Sequence, residues 1–159
     1  MREHELRLAI ERLQARHAAA IDEDRLEEWP LCFTAACRYE ITTAENHEKG
    51  LPLGIFFADS RAMLEDRVAS LRGANIYEAQ RYRHIVSPPL IVDSRSDGDG
   101  VAAHTNFLVV RTMRDGAMNI FAAGRYLDRI DMRGPEPLFA EKIAILDNRR
   151  IDTLLALPI

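Results

Sequence analysis

The hydrophobic period of this chain changes partway along it, and that change restricts the available folds more than any other feature. From Glu3 to Ile21 the apolar residues Leu6, Ile10, Leu13, Ala20 and Ile21 share one stripe at 3.6-residue spacing, which makes an amphipathic helix. Further on, Cys37, Tyr39 and Ile41 alternate with Arg38, Glu40 and Thr42, the two-residue period of a half-buried strand. The C-terminal half is almost all strand signal: Arg83 to Val92 with a break at Pro88-Pro89, then Val101 to Met113, Asn119 to Ile130 and Leu138 to Leu146. Asp115-Gly116 is a hairpin turn between two of these runs. The Asp97 to Gly100 cluster and the Arg133 to Pro137 segment supply two further connections.

Two shorter elements bridge the halves. Asp22 is a candidate cap for a short helix through Arg25, Leu26 and Trp29 that Pro30 stops. Asn46 to Pro52 reads as a loop, after which Ser60 caps a helix with Met63, Leu64, Val68 and Leu71 on one stripe and Gly73 near its end. Helices first and strands afterwards is an α+β pattern, in which a strongly curved, mixed or antiparallel sheet wraps the N-terminal helices on its concave face. Such a cone either holds a ligand or is plugged by its own side chains. The 159 residues, with 47% apolar, suit one domain spanning 1–159.

Charge and cysteine content narrow the function classes. Lys and Arg total 21 against 25 Asp and Glu, interspersed, so no broad positive field exists to hold nucleic acid. The charged start, Met1 to Arg7, lacks an apolar run behind it, and the longest apolar stretch, Leu51 to Ala58, is far short of the roughly 20 residues that span a bilayer. A cytoplasmic protein without a membrane partner is the expectation. Cys32 and Cys37 have no neighbouring histidine pair, and no His-Glu-x-x-His motif occurs, so neither zinc nor an iron–sulfur cluster is expected in this chain.

Among the histidines, His17 sits at the centre of the first helix's apolar stripe and reads as a core residue bonded to a neighbouring strand. His104 shares a strand face with Asn106, Leu108 and Val110, pointing either into the cone or onto a partner. His84, at the start of a strand, has Asp22 and Asp24 available from the junction of the first two helices. In a cone pocket Asp22 or Asp24 with His84 would do the acid–base work of a lyase or isomerase. The plainer reading has His84 tying strands together and Asp22 capping a helix. Arg81, Tyr82 and Arg83 carry too little charge for nucleic acid but suit a subunit contact, and Arg111, Arg125 and Arg129 lie beside carboxylates in the strand region.

The segments Met63-Leu64-Glu65-Asp66-Arg67-Val68 and Arg81-Tyr82-Arg83-His84-Ile85-Val86 resemble, in order and spacing, the small (β) subunit of aromatic-ring-hydroxylating dioxygenases. The Asp22 to Trp29 segment, Ala74-Asn75-Ile76-Tyr77-Glu78 and Asp152 to Pro158 draw the likeness toward the branch of that family acting on terephthalate and on related benzoate- or salicylate-type acids. Pro88-Pro89 departs from many relatives, which continue the His84 strand with a polar residue. The resemblance implies a cone of the nuclear-transport-factor/cystatin-like class, assembled with a larger α subunit, usually as α3β3, with the β subunits associating as a trimer. It implies that the α subunit holds a Rieske [2Fe-2S] cluster and a mononuclear Fe(II), and that a reductase delivers electrons through α. This chain has none of the Cys-x-His and Cys-x-x-His pairs of a Rieske cluster, so the resemblance assigns it an assembly role without catalytic residues, cofactor or metal. Arg81, Tyr82, Arg83, Arg111, Arg125 and Arg129 are then the candidate interface residues.

Overall fold

The apolar stripe of the N-terminal segment winds into α1, Glu3–Asp22, which buries Leu6, Ile10, Leu13, His17, Ala20 and Ile21. At its start the Glu5 carboxylate accepts the Arg2 backbone N–H at 2.8 Å, and negative charge in the first turn suits the helix dipole. The coordinates come from a computed structural model, which describes residues 1–52, 54–74, 80–94, 100–148 and 158–159. The family-like segments at 75–78 and 152–157, and most of the Asp97 to Gly100 turn, lie outside the described residues.

A 3-10 helix, Leu26–Cys32, follows α1, with Pro30 inside it where the sequence reading had Pro30 as its end. Leu26, Trp29, Pro30 and Cys32 are all buried, so packing holds a tighter helix through the proline. β1, Phe33–Thr43, leads into one turn of helix, α2, Ala44–Glu48, in place of the expected loop. Thr43 caps it by accepting the Asn46 N–H at 3.2 Å. β2, Phe56–Ala58, comes next, then α3, Arg61–Ala74, where the Ser60 hydroxyl accepts the Met63 N–H at 3.2 Å as its sequence position suggests. The remaining strands are β3 (Gln80–Val86), β4 (Leu90–Asp93), β5 (Val101–Met113), β6 (Met118–Asp131) and β7 (Leu138–Leu146).

The sheet runs β2-β1-β7-β6-β5-β3, with β4 added on β5. Pairing is antiparallel except for β1 against β7, which is parallel and makes the sheet mixed. The β5–β6 hairpin turns at Asp115-Gly116, with Gly116 at φ 89° and the Met113 N–H donating to the Ala117 carbonyl at 2.8 Å. Gly124 permits the close crossing of β6 and β7, since a Cβ there would lie 1.8 Å from the Ile145 carbonyl oxygen.

Side chains fill the concave side. Trp29, Phe33, Tyr39, Tyr126 and Phe139 are all but fully buried. Trp29, Phe33 and Tyr39 meet edge to face with ring centres 5.4 to 5.9 Å apart, the geometry that aromatic quadrupoles favour. Residues of β5 alternate strictly: Val101, Ala103, Thr105, Phe107, Val109 and Arg111 face the helices, and their neighbours face outward. No helix among the described residues is long and apolar enough to cross a membrane.

Candidate functional site

Two polar clusters lie under the helices, and they differ in what they connect. The first joins the last residue of α1 to β3. The Asp22 carboxylate accepts the His84 backbone N–H at 2.8 Å and lies 2.6 Å from His84 Nδ1, which donates to it. Both side chains are almost wholly enclosed, at 6% and 0% exposure. One carboxylate thus serves two donors that would otherwise be stranded, and His84 Nε2 is buried without a partner among the described residues. Asp24 takes no part. It adopts φ 57°, turns outward, and accepts from Arg72 at 2.8 Å, while Arg72 also grips Glu27 at 2.8 Å and holds its carboxyl down at about 2.

Of the pair of aspartates considered from sequence, only Asp22 meets His84. The contact joins helix to strand: each carboxylate oxygen is engaged by His84, and neither side chain opens to solvent. Replacing Asp22 by Ala should therefore cost about 2–4 kcal/mol, because the acceptor of two buried bonds disappears, one of them charge-assisted. Urea denaturation checks this. An unchanged midpoint would show the tie to be idle.

The second cluster was not anticipated. Lys142 on β7 donates to Gln14 Oε1 at 2.9 Å and lies 3.3 Å from Asp128 on β6. Gln14 Nε2 in turn donates to Asp128 at 2.6 Å and sits 3.3 Å from the Thr105 hydroxyl. The Lys142 ammonium also rests over the rings of Tyr126 and Phe139, at 3.5 and 4.2 Å. Burial pushes Lys142 down to about 8, against the pull of Asp128, and pushes Asp128 up. His17 lies in the same region, edge-on to Phe33, Tyr126 and Phe139, with its basicity well below normal because burial and then Lys142 disfavour its charged form. It is a core histidine, but an aromatic cage surrounds it and its Nε2 has no partner among the described residues.

Strand alternation sorts the remaining residues into two faces. Tyr82 and Arg111 are cross-strand neighbours that point inward, where Phe121 packs 5.2 Å from the Tyr82 ring and 4.6 Å beneath the Arg111 guanidinium. Both are buried, so neither offers a surface for a second chain. Arg81, Arg83, Arg125 and Arg129 face outward and are exposed. His104 also faces outward, half-buried, beside Arg129 and Glu141 around a cavity of about 360 Å³. Cys32 and Cys37 are free and buried, and burial raises both thiols above their usual range. Among the described residues no group of three or more His, Cys, Asp and Glu is placed to hold a metal ion.

The last two residues pack within this chain. Pro158 and Ile159 are buried, and the Tyr39 hydroxyl donates to the Ile159 carbonyl at 2.6 Å while accepting its N–H at 3.2 Å.

This architecture has close relatives. The chain is 43% identical to terephthalate 1,2-dioxygenase terminal oxygenase component subunit beta 2 of Comamonas over 152 residues, 96% of this chain and 97% of that one. It is 46% identical to the anthranilate 1,2-dioxygenase small subunit of Burkholderia cepacia, over 92% of this chain and 90% of that one. A solved structure from Novosphingobium aromaticivorans, assigned as the beta subunit of an aromatic-ring-hydroxylating dioxygenase, superposes with a TM-score of 0.89 at 36% identity, covering 98% of both chains. Lyase or isomerase chemistry for Asp22 and His84 finds no support among these relatives. The family model described as "Ring hydroxylating beta subunit" matches residues 16–153, and the chain belongs to that family.

Proposed function

We infer that this chain is the noncatalytic β subunit of a multicomponent Rieske non-haem iron dioxygenase acting on an aromatic acid of the terephthalate or anthranilate kind. The observation that carries the reading is the similarity, above 40% identity across more than nine tenths of the chain, to subunits of two such oxygenases. The chain works as one domain in the cytoplasm. Three copies assemble with three α subunits, which carry the Rieske [2Fe-2S] cluster and the mononuclear Fe(II), and the reductase acts through α. The donors present here do not suit the Rieske centre: the two cysteines have no histidine in Rieske spacing, and burial raises both thiols. This subunit's contribution is a rigid support, fixed by the aromatic core and the two buried polar ties, with Arg81, Arg83, Arg125 and Arg129 on its outer face for subunit contacts.

The test is metal analysis of the chain purified alone and with its α subunit. Alone it should carry no stoichiometric iron and oxidise no aromatic acid, and the iron of the complex should follow α. About one iron per isolated chain would overturn the reading.

A further inference from the structure

Neither buried polar cluster satisfies all of the donors and acceptors under the helices. His17 on α1, His84 on β3 and Tyr126 on β6 are buried, and His17 Nε2, His84 Nε2 and the Tyr126 hydroxyl have no hydrogen-bond partner among the described residues. The three come from separate elements but lie together. The rings of His17 and Tyr126 meet with centres 6.1 Å apart, yet their polar atoms do not bond each other. His84 stands close enough to His17, and its partner Asp22 close enough to Tyr126, for charge on one to be felt at the other. Little bulk intrudes here. The cross-strand row that starts at His84 continues through Val109 to Ala122, and the next inward residue of β6 before Tyr126 is Gly124.

Bare buried donors and acceptors are rare in folded proteins, because each forfeits the hydrogen bond that bulk solvent gave it. What these three require follows from their chemistry. His84 Nδ1 is committed to Asp22, so Nε2 offers a lone pair in the neutral ring and a proton in the charged one. Burial keeps the Tyr126 hydroxyl protonated, hence able to donate, and keeps His17 neutral, with one ring nitrogen as an acceptor. The occupant must therefore both donate and accept. A charge of either sign is disfavoured, since Asp22 borders the site on one side and Lys142 acts on His17 from the other. An apolar group would leave all three polar atoms bare.

We propose that one enclosed water molecule is bound where α1, β3 and β6 meet, held by His84 Nε2, His17 Nε2 and the Tyr126 hydroxyl. Three polar partners are the usual complement of a buried water. This water carries the Asp22–His84 tie across the cone to β6, so that the helix, the edge strand β3 and the inner strand β6 share one network. The site is structural, and it stands independently of the β-subunit reading.

The experiment is a crystal structure of the full chain at a resolution that shows single waters, beside the same chain carrying Tyr126→Phe, which removes the hydroxyl and keeps the ring that stacks on Phe107. In the parent, one peak of single-atom size should lie within about 3.2 Å of all three polar atoms. In solution, magnetisation should pass from a bound water to the His84 ring, and Tyr126→Phe should move the nitrogen-15 resonance of His84 Nε2 more than that of Nδ1. The absence of a peak in the parent, a peak that touches only one or two of the three atoms, or one larger than a single atom would overturn the proposal. A Tyr126 hydroxyl bonded directly to either histidine would overturn it too, as would a His84 Nε2 resonance indifferent to the substitution. The parent structure alone carries the decision if the variant fails to fold.

Discussion

Asp128→Ala is expected to destabilise the fold by about 3–5 kcal/mol, the cost of leaving a buried charge without its partner. Lys142 and Asp128 have no exposed side-chain surface, and Gln14 bonds to both, so water cannot replace the lost carboxylate. Replacing the pair together, Asp128→Leu with Lys142→Met, should recover most of the loss, because well-packed apolar side chains avoid the desolvation that both charges suffer. Chemical denaturation of the two variants makes the comparison. A single variant as stable as the parent would mean that the pair is solvated.

The same pair leaves a pH signature. Lys142 loses its proton near pH 8 in the folded chain, against an ordinary value of 10.5. Between these values the unfolded chain holds a proton that the folded chain has released, so unfolding free energy rises with pH. Asp128 has the opposite sign. Its carboxyl is raised by burial, so the folded chain holds the extra proton, and stability falls as pH climbs above the ordinary carboxylate range. Lys142→Met should lack the rise between pH 8 and 10 that the parent shows, measured as the difference between the two denaturation series. The comparison matters because Cys32, Cys37 and Tyr39 keep their protons longer when folded and pull the parent curve down from about pH 9 upward.

Ile159→Ala should cost about 2–4 kcal/mol, the penalty for emptying a fully enclosed aliphatic site. Tyr39→Phe attacks the same anchor from the other side, removing the hydroxyl that bonds both the N–H and the carbonyl of Ile159, at about 1–3 kcal/mol. The two losses should not add, because either change loosens the Pro158-Ile159 segment on which the other depends. Thermal melts of both single variants and the double variant decide this. A tail held by a partner instead would show wild-type melting for the isolated chain and a loss only in the complex.

What could be read from the sequence followed local periodicity, and what could not followed register. The stripe of α1, the alternation in β5 and the Asp115-Gly116 hairpin depend on neighbours in sequence, and all stand where the pattern puts them. Asp22 and His84 were candidates for the same reason: a carboxylate at a helix end and a histidine on an inward strand position. Lys142 was hidden by a β-bulge. The register against β6 shifts between Phe139 and Glu141, so Phe139 and Lys142 both point inward although they stand three positions apart. Gln14 and Asp128 had a usable signal, a polar residue four after Ile10 on an apolar stripe and a carboxylate alternating with Tyr126 and Ile130. Arg111 was misplaced onto a surface because its charge outweighed its phase, which follows Phe107 and Val109 inward. The parallel β1–β7 pairing joins strands about a hundred residues apart, and β2 lies inside an apolar run broken by Pro52 and Gly54, so neither left a local mark.

On the proposed function, this chain supports a redox-active partner rather than acting alone. Light scattering on the chain co-expressed with a Rieske-type α subunit of this dioxygenase family decides between the two. An equimolar complex with the mass of three α and three of this chain is the expected result. A monodisperse species of this chain that leaves α behind would contradict it.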